Sequence, residues 1–168
     1  MDYFFLNLRL IFWTMSKIII NSFEEFQEHL GKDLGESAPH LVTQDQINLF
    51  ADATIDHQWI HTDPAKAADG PFGHPIAHGY LTLSMIPHLW NQILEVNNLK
   101  MMVNYGIEKL KFNQPVPVGS EIILKAKLEG LKNLRGIIRT EVGASMQIVG
   151  NAKPAFSGTL IMLYHFND

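Results

Sequence analysis

A carboxylate and an imidazole stand five positions apart, Asp56 and His61, in the stretch FADATIDHQWIH. Such a pair can hold one water molecule between them, each group taking or giving a proton as a reaction needs. Downstream, a glycine-rich turn from Gly70 to Gly79 runs into the chain's longest apolar helix candidate. A glycine where a turn meets a helix leaves backbone N–H groups free and makes room for a ligand. Those donors, with the helix dipole, suit a developing negative oxygen such as a thioester enolate. Addition or removal of water next to a carbonyl needs this combination.

The elements must bring these groups together. On one continuous α-helix Asp56 and His61 would lie roughly 140° apart around the axis. They converge only if the segment turns, and Asp63-Pro64 marks a turn or helix start there. The same residues also read as a turn-capping aspartate and a satisfied histidine. Gly79 also reads as a residue that lets the helix start close to a sheet. Spacing alone leaves both alternatives open.

Ser22 with Glu25, and Thr43 with Gln46, are capping-box patterns. They predict helices over Phe23 to Leu30 and from Thr43 to about Ala53, with a short extended segment, Gly35 to Val42, between them. Periodicity vanishes from Thr54 to His78, which predicts a long structured loop of the kind that carries function. Leu81, Met85, Leu89 and Ile93 then repeat at helical spacing, with Pro87 placed to kink that helix. After Lys100 the texture becomes strands: Met101 to Asn104, Gly106 to Asn113, Glu121 to Leu131, Leu134 to Gln147 and Lys153 to Phe166. Lys132-Asn133 and Gly150-Asn151 read as hairpin turns, and residues 115–119 (PVPVG) as a turn or edge bend. Helices first and an antiparallel meander after them predict an α+β fold, one long helix against a curved sheet.

The chain has 168 residues, 46% of them hydrophobic and 18% charged, which predicts one folded domain with a real core. A net charge of −4 without a Lys/Arg-rich run argues against nucleic acid as a partner. The absence of Cys excludes a disulfide scaffold, a thiolate nucleophile and Cys-ligated zinc, and fits a cytoplasmic location. Residues 1–14 are apolar and aromatic, but too short to span a bilayer, which takes about 20 apolar residues. They also lack the layout of a signal peptide. A second start at Met15 makes residues 1–14 an expected leader or over-extended start, with an N-terminal helix packing on a neighbour as the alternative, and 15–168 the single domain.

The blocks FADATIDHQWIH…GPFGHPIAHGYLTLSMIP and NYGIEKLKFNQPVPVGS resemble the MaoC-like dehydratases of the hotdog-fold superfamily, in the branch related to nodulation protein N. The resemblance runs from about Ser37 onward. It implies a hotdog fold, a long central helix wrapped by a curved antiparallel sheet. It also implies (R)-specific hydration of trans-2-enoyl thioesters, or dehydration of 3-hydroxyacyl thioesters, within fatty acid metabolism. Asp56 and His61 then match the catalytic pair. Gly79, beside His78, matches the glycine whose N–H holds the thioester carbonyl. No cofactor or metal is implied. CoA or an acyl-carrier thioester is the expected substrate carrier, and a homodimer or higher homo-oligomer built through the sheet is expected, with no membrane partner. A thioesterase on the same fold and a non-catalytic acyl-thioester binder are the alternatives.

Two departures stand out. The usual D-x-N-P-L-H reads Asp56-His57-Gln58-Trp59-Ile60-His61 here, with Trp59 in place of a stiffening proline. The serine that hydratases of this kind place eight positions after the glycine is Pro87. Ser84 is the expected substitute support for Asp56, or else a helical serine facing solvent. His78, Gly79, Ser84 and Asn104 complete the expected substrate-binding set, Asn104 with a β-bulge role as its alternative. His57, His74, His78 and His88 cluster near the site without a metal-ligand pattern. Trp59, Phe72, Tyr80 and Trp90 line an acyl pocket or belong to the core. Lys109 and Lys111 attract CoA phosphates or form a solvated strand face.

Overall fold

The computed structural model describes residues 17–167, so the expectation for residues 1–14 lies outside the described residues. The elements run β1 (Ile18–Ile20), α1 (Phe23–Glu28), β2 (Asp33–Glu36), β3 (His40–Leu41), α2 (Gln44–Thr54), α3 (Trp59–Thr62), α4 (Pro64–Ala68), α5 (Gly79–Ser84), α6 (Ile86–Ile93), β4 (Leu94–Val96), β5 (Leu99–Phe112), β6 (Glu121–Leu134), β7 (Ile137–Ile148) and β8 (Pro154–Phe166). Six strands form one antiparallel sheet in the order β2-β6-β7-β8-β5, with β3 also pairing β6. β1 and β4 form a small parallel pair apart from it. This is the α+β arrangement expected, with helical turns covering one face of the sheet.

Both capping boxes are made. Ser22 accepts from the Glu25 N–H and Thr43 from the Gln46 N–H, each bond satisfying a first-turn donor that has no intrahelical acceptor. The long apolar helix is divided at Met85 into α5 and α6, with Pro87 in the first turn of α6. A proline supplies no N–H and is tolerated where a helix begins, so the expected kink becomes a break. Ile86, Leu89, Trp90 and Ile93 bury the inner face of α6 in one core cluster with Ile122, Leu124, Leu128, Val142 and Met146 of the sheet. Each such side chain contributes about 1.5–3 kcal/mol by leaving water.

The hairpin between β6 and β7 turns at Arg135-Gly136, not at Lys132-Asn133. Both residues have positive φ (58° and 94°), as the tight turn matched to strand twist requires. Asn133 accepts from the Gly136 N–H instead. The two expected strands on either side of Tyr105 are one strand, β5, with bulges between Asn104 and Gly106 and between Glu108 and Lys111. The expected loop from Thr54 to His78 contains two short helices, α3 and α4, of four and five residues. Asp63 caps α4 by accepting from the Lys66 N–H, with Pro64 at its first position.

Candidate active site

The bend that the chemistry requires is built at the end of α2. Ile55 has a left-handed backbone, φ 62°, and both it and Asp56 donate their N–H to the Ala51 carbonyl. For a β-branched residue this conformation costs roughly 1–2 kcal/mol, and it turns the chain so that Asp56 leaves the helix axis. Gln58 is extended, and α3 begins at Trp59. Trp59 occupies the place of the missing proline. Its ring lies against Gly70, where a Cβ would come within 2.7 Å, and Lys66 sits 5.3 Å over it. The indole therefore braces α3 against α4 by packing, where a proline would restrict φ.

His61 is buried on α3. Its Nδ1 lies 2.7 Å from the Ile76 carbonyl, and the Ile76 N–H returns to the Ile60 carbonyl at 3.0 Å. A carbonyl only accepts, so Nδ1 carries the ring proton and Nε2 presents a lone pair. Burial is the main cause that holds the His61 pKa below its ordinary 6.5; His78 lowers it further, while the Ile76 carbonyl and Asp56 act the other way. Asp56 itself is 55% exposed at the side chain. Donor atoms of Asp56, His61 and His78 nevertheless all lie within 4.8 Å of one another.

That trio has the ligand types of a metal site, yet its geometry suits proton handling. The His61 and His78 rings are stacked, centroids 3.8 Å apart and 27° between planes. Stacked imidazoles send their in-plane lone pairs side by side, not toward one point between them. His78 Nε2 is also committed to the Asp56 carbonyl at 2.9 Å.

A cavity of about 510 Å³ joins His61 to Gly79 and is walled by Tyr80, Thr82, Phe112 and Val116. Gly79 is the first residue of α5. A Cβ there would meet the Phe112 ring at 3.0–3.2 Å, so only glycine lets that ring close over the helix start without displacement. Thr82 donates to the Gly79 carbonyl at 2.7 Å, fixing the first turn. Asp56 stands outside this lining, beside His61.

The other expected residues fall elsewhere. Ser84 donates to the Tyr80 carbonyl at 2.7 Å, the helical back-bond of an exposed serine, and does not support Asp56. Ser84 and Asn104 border a separate cavity of about 310 Å³ with Pro87, Ile107 and Leu160. The His78 side chain is 3% exposed and does not line the His61 cavity. Trp90 is core and donates to the Tyr164 hydroxyl, whose pKa is raised by burial. Lys109 lines a groove on the outer face of the sheet, away from His61. Sequence reasoning missed Phe112 and Thr82 as cavity walls and the Ile76 carbonyl as the partner of His61. Phe112 is signalled only by its place in the KFNQPVPVG block.

A MaoC-like domain family model matches residues 25–148. The chain is 44% identical over 135 residues to 3-hydroxyacyl-thioester dehydratase Z of Mycobacterium tuberculosis, covering 80% of this chain and 89% of that protein. It is 36% identical over 149 residues to nodulation protein N of Rhizobium meliloti, covering 87% and 92%. Among solved structures, the (R)-hydratase from Aeromonas caviae superposes with a TM-score of 0.65 at 26% identity, covering 79% of this chain and 94% of that one. With its sheet, its divided helix and these relatives, the chain belongs to the MaoC-like dehydratase family of the hotdog superfamily.

Proposed function

We propose that this chain is a hydro-lyase that adds water to trans-2-enoyl thioesters, or removes it from (R)-3-hydroxyacyl thioesters, without a cofactor. The observation that carries this reading is the bare Nε2 of buried His61, beside the Asp56 carboxylate and at one end of a cavity that reaches Gly79. The names of the relatives, a 3-hydroxyacyl-thioester dehydratase and an (R)-specific enoyl-CoA hydratase, support the same class.

In the hydration direction, Asp56 and His61 hold one water. Its oxygen bonds to C3 of the enoyl group as its proton passes to His61 Nε2. The double-bond electrons move to the thioester oxygen, which accepts from the Gly79 N–H, and the imidazolium proton then goes to C2. Dehydration is the reverse. Neutral His61 is the starting form, and its lowered pKa keeps it neutral at pH 7.

The purified protein is expected to bleach the absorbance of the conjugated thioester across a panel of enoyl-CoA chain lengths. Because the required form is the unprotonated imidazole, kcat/KM stays level around neutrality. It falls as pH drops through a pKa lying below 6.5. Release of free thiol without loss of the double bond would make the protein a thioesterase instead.

The working unit is a homodimer or higher homo-oligomer. β5 is an edge strand of 14 residues on which Met101, Val103, Tyr105 and Ile107 are 38–67% exposed. A long apolar edge is a template for strand pairing with another chain. Light scattering is expected to return at least twice the monomer mass, and Tyr105→Asp with Ile107→Lys to reduce it. A wild-type protein that stays monomeric at micromolar concentration contradicts this.

A further inference from the structure

We propose that His78 is a positioning residue that fixes the Asp56 carboxylate relative to the His61 imidazole. The inference rests on the hydro-lyase reading above. His78 caps the start of α5, one position before Gly79, and its ring is 3% exposed. Nε2 lies 2.9 Å from the main-chain carbonyl of Asp56 and 3.9 Å from its Oδ2. The carbonyl accepts, so Nε2 bears the proton. One face of the ring stacks on His61, and Phe50 of α2 packs at 5.1 Å between centroids. A single side chain thus touches the backbone beneath the carboxylate and the face of the imidazole, and is bonded covalently to the residue that carries the proposed oxyanion donor.

Packing alone does not explain this histidine. Its Nδ1 is buried and has no hydrogen-bond partner. An unpaired buried polar atom destabilises a fold, and a phenylalanine would fill the same space without one. What only the histidine supplies is the Nε2–H that clamps Asp56 at the strained end of α2. Ser84, the side chain expected to support Asp56 from sequence, is engaged with Tyr80.

Two substitutions separate the donor from the ring. His78→Phe keeps an aromatic face on His61 and loses the donor; His78→Gln places an amide N–H near the position of Nε2. Misplacing a reacting group by an ångström costs about 10²-fold in rate. His78→Phe is therefore expected to lower kcat about 10–100-fold, with KM within about threefold of wild type. His78→Gln is expected to recover to within about tenfold of the wild-type kcat. A wild-type kcat in His78→Phe, or equal losses in both variants, overturns the proposal. Should His78→Phe fail to fold, the glutamine variant decides alone: a loss beyond tenfold overturns it. Independently of any substrate, long-range ¹H–¹⁵N spectra of the ¹⁵N-histidine-labelled protein are expected to show the His78 proton on Nε2. A proton on Nδ1 overturns the clamp. Absence of turnover by the wild-type protein on every enoyl-CoA would instead remove the hydro-lyase reading, leaving the spectra to report on the geometry.

Discussion

Asp56→Asn and His61→Ala are each expected to lower kcat for enoyl-CoA hydration by about 10²–10⁴-fold, the range lost with a positioned acid or base. The two substitutions act on different parts of one event. Asparagine preserves the size of the Asp56 side chain and removes its charge, so the water loses an anionic acceptor while the cavity keeps its shape. Alanine at position 61 removes Nε2, the unprotonated nitrogen of a buried ring that lines the cavity. In the proposed mechanism both groups grip the same water, so the double variant should lose far less than the product of the single losses. Steady-state kinetics on the same enoyl-CoA panel check this. Full activity in either single variant would eliminate the assignment.

Gly79→Pro is expected to cost about 10²–10³-fold in kcat, the size of one lost oxyanion donor. The substitution is sterically favourable for the backbone. Residue 79 is the first of α5, where proline's fixed φ is accommodated. His78 before it has φ −57° and ψ 136°, the extended region that a residue preceding proline adopts. The missing N–H is therefore the main change at the main chain. Crowding of Phe112, which a Cβ at position 79 approaches to 3.0 Å, is a second effect. Gly79→Ala controls for it, since alanine brings the Cβ and retains the N–H. A proline variant no slower than the alanine variant would remove the oxyanion role from Gly79.

Much of this was legible in the residues. The capping boxes at Ser22 and Thr43 each state a local hydrogen bond, and both bonds form. The apolar stripe of Leu81, Leu89 and Ile93 likewise marks its own buried face. What escaped depends on residues distant in the chain. No local pattern tells that the Ile76 carbonyl selects the His61 tautomer, or that Phe112, at the end of β5, closes over Gly79. Of the two readings of Ser84, support for Asp56 or a helical serine facing solvent, the second fits its hydroxyl, which satisfies a carbonyl in its own turn. The sequence places the hairpin turn three residues before Arg135-Gly136 because Asn133 has a turn-forming side chain, which it uses from a flanking position. His78 was expected to meet substrate on account of its neighbour Gly79. Its ring points inward instead, a direction that depends on α2 and α3 packing above it.

Ile55 separates two properties that usually go together in a protein, accessibility and freedom to vary. The residue is 84% exposed and would pass for a neutral surface position in any survey of solvent contact. Its main chain, with φ at 62°, dictates where the next carboxylate goes. Replacements there are graded by torsional tolerance: glycine, asparagine and aspartate can hold the bend, whereas valine or threonine inherits the same steric conflict. The aim of Asp56, the carboxylate of the proposed mechanism, is thus set by a residue whose own side chain faces water.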